Sequence, residues 1–179
     1  MRKIAFFVVV FLLAAHAPAQ IRSDYRQKEL NWTRTASRID NRFFYLYTDE
    51  AKRIADNLVI HQLESGAWPK NVYFPAEITP EQKEKIIADK KHVERGTIDN
   101  GSTTTEIAYL SKMYNVVRDE KYKEAALKGI EYLLAAQYEN GGWPQFYPNA
   151  KGYARHITYN DNAMVNTMRV LQAIFEYDP

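Results

Sequence analysis

"QYENGGWP", residues 137–144, closes one apolar-periodic segment, and "QLESGAWP", residues 62–69, closes an earlier one. Both read Gln-x-x-x-Gly-x-Trp-Pro, 75 residues apart, each at the C-terminal end of a helical pattern. Glycine supplies the left-handed residue that ends a helix, Pro forbids its continuation, Trp packs the departing loop, and Gln reaches the last carbonyls. Helix pairs repeated in this way suggest an α/α toroid. Trp68 and Trp143 carry two readings, as packing under a loop and as flat surfaces for sugar rings.

Helical periodicity surrounds both copies. Ala51, Ile54, Ala55, Leu58, Val59 and Gln62 share one face, which predicts a helix over Glu50–Glu64 with Asp49 as N-cap. "TPEQ", residues 79–82, is a capping box with Pro at the first helical position, and it opens a short, charged, solvated helix to about Lys90. A third helix starts at Ser102 or Thr103, where Thr103 and Glu106 form another capping box, and buries Ile107, Leu110, Tyr114 and Val117. A turn at Arg118 and Asp119 leads into a fourth, with Tyr122, Ala126, Gly129, Ile130, Leu133 and Leu134 inward. Asp161 or Asn162 caps the last, whose face is Met164, Met168, Leu171 and Phe175.

No stretch alternates apolar and polar residues over a strand length, so the chain reads as all-α, an incomplete (α/α) toroid. Its connections alternate long, short and long. Antiparallel helices then bring every long connection to the same end of the bundle, which is where function is expected.

Residues 1–19 have the order of a secretory signal peptide: Arg2 and Lys3, the apolar run Ile4 to Ala15, then Ala17-Pro18-Ala19. The expectation is a secreted or periplasmic, bacterial-type protein with an arm at 20–47 and a domain from 48 to 179. No Cys follows the run, so a lipid anchor is excluded, and none occurs elsewhere, so disulfides and thiolate chemistry are excluded too. Of 24 basic residues against 22 acidic, Arg2 and Lys3 leave with the leader, and the net charge falls from +2 to zero. That balance argues against a nucleic-acid partner, and an acidic ligand must be held by a local site.

Candidate chemistry lies in "GTIDNGSTTTEIAYL", residues 96–110, and "HITYNDNAMV", residues 156–165. Each places an acid beside amides just before a helix: Asp99 with Asn100, and Asp161 with Asn160 and Asn162. One account is helix capping. The other is a calcium site assembled across helices, since Ca²⁺ takes six to eight hard oxygens from carboxylates, carbonyls and water. Four histidines, His16 among them in the leader, argue against zinc or haem. His61 reads as structural, His92 as solvated, and His156 as a candidate substrate contact.

"TIDNGSTTTEIAYL", "AAQYENGGWPQFYP" and "HITYNDNAMVN", with "SGAWPKN" at residues 65–71, together resemble the family-ten pectate lyases, the pectic acid lyase domain. The resemblance runs from about Arg34 onward and implies an α/α toroid. It also implies calcium-dependent cleavage of polygalacturonate by β-elimination, in a monomer. By similarity, Asp99 and Asp161 match acidic positions of the calcium region, and Lys70, Asn100, Thr104, Trp143, His156 and Asn160 are candidate sugar contacts. The family's proton-abstracting arginine lies in a later portion than these motifs and is expected beyond Pro179, so the base is not assigned to any arginine here. The chain is expected to be the N-terminal part of such a catalytic domain, poorly soluble and with little or no activity. An unsaturated uronyl hydrolase and a non-catalytic polyuronate-binding domain stand as alternatives.

Overall fold

The computed structural model describes residues 43–177. The expected signal peptide, 1–19, and most of the arm, 20–47, lie outside the described residues. So does Pro179, the residue beyond which the base arginine is expected. The helices in chain order are α1 Phe43–Leu46, α2 Asp49–His61, α3 Pro80–Asp89, α4 Thr104–Val117, α5 Glu120–Ala136 and α6 Ala163–Tyr177. No strand occurs among the described residues, and the all-α expectation holds.

Short polar residues set the helix starts. Thr48, one residue earlier than expected, caps α2, its Oγ1 accepting from Ala51 N–H at 3.2 Å. Thr79 and Gln82 form the predicted capping box of α3, which buries nothing and is a solvated helix. Arg118 ends α4 in the left-handed conformation, and Asp119 caps α5.

The buried stripes are α2 residues Ile54, Ala55 and Leu58, α4 residues Ile107, Tyr109, Leu110 and Met113, and α5 residues Tyr122, Ala126 and Leu133. Each large apolar side chain so buried stabilises by about 1.5–3 kcal/mol. Helix α4 packs against α2, α5 and α6 and is the centre of the bundle. Leu134, expected inside, is 57% exposed. It lies about 100° round the helix from Leu133, past the edge of the face that Tyr122, Ala126 and Leu133 turn to the core. Val117 is also exposed, at the end of α4. On α6 only the first turn is well covered: Met164 is buried, while Met168 is exposed and Phe175 is 85% exposed, since α4 is the helix it packs on among the described residues.

Both copies of the repeated motif fold alike. Trp68 Nε1 donates to Leu58 O at 2.7 Å, and Trp143 Nε1 donates to Leu133 O at 2.7 Å, ten residues back in each case. Gln62 Nε2 donates to Gly66 O at 2.8 Å, and Gln137 Nε2 to Gly141 O at 3.1 Å. Gln62 also reaches Ala125 O at 2.8 Å, and its extended backbone stops α2 three residues before the predicted end. The indoles are buried and staple each departing loop to a helix end, which is the packing role for Trp.

The long connections meet. Ile98 N donates to Gln145 O and Tyr147 N to Gly96 O, both at 3.2 Å, around an antiparallel bridge between Thr97 and Phe146. Thr158 N donates to Trp143 O at 3.2 Å.

The expected capping box at the start of α4 does not form. Thr103 has φ 66°, not the extended backbone of an N-cap, and its hydroxyl makes no cap. It accepts instead from Trp68 N–H at 3.1 Å and donates to Thr97 O at 2.8 Å. Glu106 is buried with Oε2 unpartnered. Burial pushes its carboxyl up to about 8, against the pull of the backbone N–H groups of Glu106 and Thr103. Asp161 and Asn162, the expected caps of α6, are left-handed as well, at φ 51° and 58°.

Two predictions follow the packing. At Gly66, φ 89°, an added Cβ would stand 2.3 Å from the Lys128 carbonyl oxygen, whereas at Gly141, φ 84°, it would meet nothing within 4 Å. Gly141→Ala should cost about 1–2 kcal/mol for its backbone alone, and Gly66→Ala roughly 2–5 kcal/mol because overpacking adds to it. Equal losses in urea unfolding would contradict the repeat geometry. For Glu106, the folded state keeps a proton that the unfolded state releases, so stability falls as pH rises from the ordinary carboxyl range to about 8. Glu106→Gln should gain on the parent by roughly 1.4 kcal/mol per pH unit across that window. A stability difference that does not change with pH would contradict it.

Candidate functional site

Two 3-10 turns, Asp99–Gly101 and Asn160–Asn162, lie against each other where the long connections enter α4 and α6. Their backbones match: Asn100 has φ 53° and ψ 26°, and Asp161 has φ 51° and ψ 26°. Each turn follows a buried threonine, Thr97 or Thr158, two residues before its first member. The order of acid and amide is exchanged, Asp99-Asn100 in one and Asn160-Asp161 in the other. Asn and Asp tolerate the left-handed conformation, which lets these residues occupy the second turn position. This second repeat, Thr-x-(Asp or Asn)-(Asn or Asp), is written in residues 97–100 and 158–161, but comparing the acids alone misses it because the acids are out of register.

Asp99 is the floor of the site, 3% exposed. Lys70 Nζ pairs with its Oδ2. Asn160 Nδ2 donates to its Oδ1 at 3.4 Å. Burial raises the Asp99 carboxyl, but hydrogen bonds from Lys70 and Gln145, the Lys70 charge and the Asn100 N–H outweigh it and leave the group below the usual carboxylate range. Asp99 is therefore held ionised. Gln145, buried in the second long connection, is a partner that sequence patterns did not reveal; its only signal was its place in "WPQF", just after the repeated Trp-Pro.

Asn160 joins the two turns. Its Nδ2 also donates to Asp161 Oδ2 at 3.1 Å, and its Oδ1 accepts from the Thr158 hydroxyl, which fixes which end of the amide faces the acids. One nitrogen thus lies within reach of both carboxylates. Asn100 Nδ2 lies 3.5 Å from Asn71 Oδ1 on the rim. The Lys70 ammonium also sits 5.4 Å from the centre of the Phe146 ring.

Lys70, Asp99, Asn100, Asn160 and Asp161 are therefore brought together, with Asp99 buried, Lys70 half-buried and the other three exposed. Thr104 and Trp143 stand apart from this open face. Thr104 is buried with its hydroxyl donating to Gly101 O at 3.0 Å, and Trp143 lies under the loop. His156 is exposed, with its backbone N–H given to Tyr153 O at 3.0 Å. His61 is structural, its Nδ1 2.8 Å from Asn57 O and its ring edge-on to Phe74, and His92 is half-exposed beside Glu94.

No group of three or more His, Cys, Asp or Glu side chains gathers among the described residues. The charged set at the site is two carboxylates and one ammonium, surrounded by amides. Such a set can hold a hard cation and an anionic sugar together.

Comparison with known proteins bears on this arrangement. The model of the pectic acid lyase family matches residues 62–178. Among solved structures, the chain is similar to a family 10 polysaccharide lyase from Cellvibrio cellulosa, with 32% identity and a TM-score of 0.58, over 83% of this chain and 41% of that one. It is equally similar, with the same identity, TM-score and coverage, to an aspartate-to-alanine mutant of a family 10 lyase from the same organism in complex with trigalacturonic acid. No curated protein sequence matches. The chain spans less than half the length of the solved relatives. With about two thirds of its residues matched, an all-α fold and the paired acid-amide turns within the matched span, the chain belongs to the pectic acid lyase family.

Proposed function

We propose that this chain binds polygalacturonate through a calcium ion and supplies the cation-and-uronate half of a pectate lyase site. The observation that carries the reading is the single Asn160 nitrogen that reaches both Asp99 and Asp161, beside the Lys70 ammonium. The donor chemistry fits calcium. Asp99, Asp161 and the amide oxygen of Asn100 are hard oxygens, and soft or imidazole ligands are lacking at the turns. The place between the two acids already takes the positive end of an amide. When bound, the cation withdraws charge from a uronate carboxylate and so makes the sugar's C5 proton easier to remove.

The chain's own groups bind and orient. Asp99 and Asp161 provide fixed negative charge, Lys70 pairs with a uronate carboxylate, and Asn100 on the rim offers an amide to sugar hydroxyls. A β-elimination then needs a base at C5 and departure of the C4 oxygen. The resemblance puts that base, an arginine, in a later portion of the family's domain, past the position of Pro179. The hydrolase alternative needs a protonated acid beside the sugar. Asp99, held ionised by Lys70 and Gln145, suits the cation role better. The leader-like residues 1–19 support export, so the polymer would be met outside the cytoplasm.

The test is retention of the chain on immobilised polygalacturonate. Retention should require calcium, disappear with a chelator, and fall by roughly 10- to 100-fold in Asp99→Ala, the loss of a charged partner. Retention indifferent to calcium or to Asp99 would overturn the reading, as would removal of absorbance from unsaturated oligosaccharides.

A further inference from the structure

Lys70 stands where a metal's charge is needed. Its ammonium is on Asp99 Oδ2, in the same cluster where Asn160 addresses Asp99 and Asp161. We propose that Lys70 is a built-in stand-in for the cation, which holds the site closed to calcium alone and opens it to calcium together with uronate. This deepens the calcium-uronate reading above and rests on it.

Charge counting carries the proposal. Asp99 and Asp161 contribute two negative charges and Lys70 one positive, so the empty site is at −1. Glu106, at the start of α4, is kept protonated by burial through neutral pH and adds nothing. A divalent cation alone would take the site to +1, and a uronate alone to −2. Both together bring it to zero. Unlike charges at contact distance in a half-buried site change binding by about tenfold or more. Each ligand therefore strengthens the other, and by the same factor.

The geometry lets Lys70 move. Its side chain is 34% exposed, against 5% for Asp99, so the stem reaches from the floor to the open face. The same ammonium lies 5.4 Å from the centre of the Phe146 ring, a cation–π contact beside the carboxylate. A four-carbon stem with rotatable donors can turn from Asp99 to a sugar carboxylate above it.

Calorimetric titration of calcium into the chain, with and without trigalacturonate, tests this. In the parent, trigalacturonate should tighten calcium binding about tenfold or more. Lys70→Met should bind calcium without sugar about tenfold more tightly than the parent, and the gain from trigalacturonate should shrink. Lys70→Arg, which keeps the charge, should bind calcium without sugar more weakly than Lys70→Met does. If Lys70→Met fails to fold, Lys70→Gln, which retains an N–H donor toward Asp99 without the charge, should show the same order. Sugar-free affinity in the uncharged variants equal to or weaker than the parent's overturns the proposal while leaving the calcium-uronate reading intact. Absence of calcium binding in parent and variants, with or without trigalacturonate, overturns both.

Discussion

A carboxylate as deeply buried as Asp99 stays ionised only if donors replace the water it has lost. Its donors come from three separate stretches of chain: Lys70 from the first long connection, Gln145 and Asn160 from the second, and the Asn100 N–H from its own turn. Satisfying that one group therefore fixes the relative positions of both connections. Removing any single donor leaves a buried charge short of partners, which costs more than the pair itself contributes.

The scaffold makes this possible by sending both connections back over the same end of the bundle. Each Trp indole is tied to a carbonyl ten residues earlier, and each Gln amide to its glycine carbonyl. Hydroxyls then lace the loops to the helices. Trp68 N–H gives to Thr103 Oγ1, Thr103 gives to the Thr97 carbonyl, Thr97 gives to the Gln145 carbonyl, and the Asp99 N–H gives to Thr97 Oγ1 at 3.0 Å. That chain of bonds runs from the repeated motif to the charged floor. It explains a left-handed, β-branched Thr103, a conformation that persists only where its surroundings hold it.

The helices and the repeated motif were legible because periodicity, caps and Gly-x-Trp-Pro are local signals. Helix limits shifted by a few residues where a side chain found a tertiary partner, as Gln62 did in Ala125 O. Thr103 shows the same effect more strongly: its sequence neighbours suggest a capping box, yet the long-range lacing takes its hydroxyl. The meeting of Asp99 and Asp161 was readable only through topology, from long connections falling at one end. Lys70 on Asp99, and Gln145 beside it, depend on loop paths that no local pattern encodes. Family resemblance brought Lys70 forward, and nothing brought Gln145.

The central claim is that the two acid-amide turns form one cation site that also receives a uronate. Anomalous diffraction from crystals of the chain grown with calcium and trigalacturonate tests it most directly. The account predicts a cation peak between Asp99 and Asp161, with a sugar carboxylate beside it. A peak elsewhere on the chain, or sugar bound at the turns with no cation between the two acids, would contradict it.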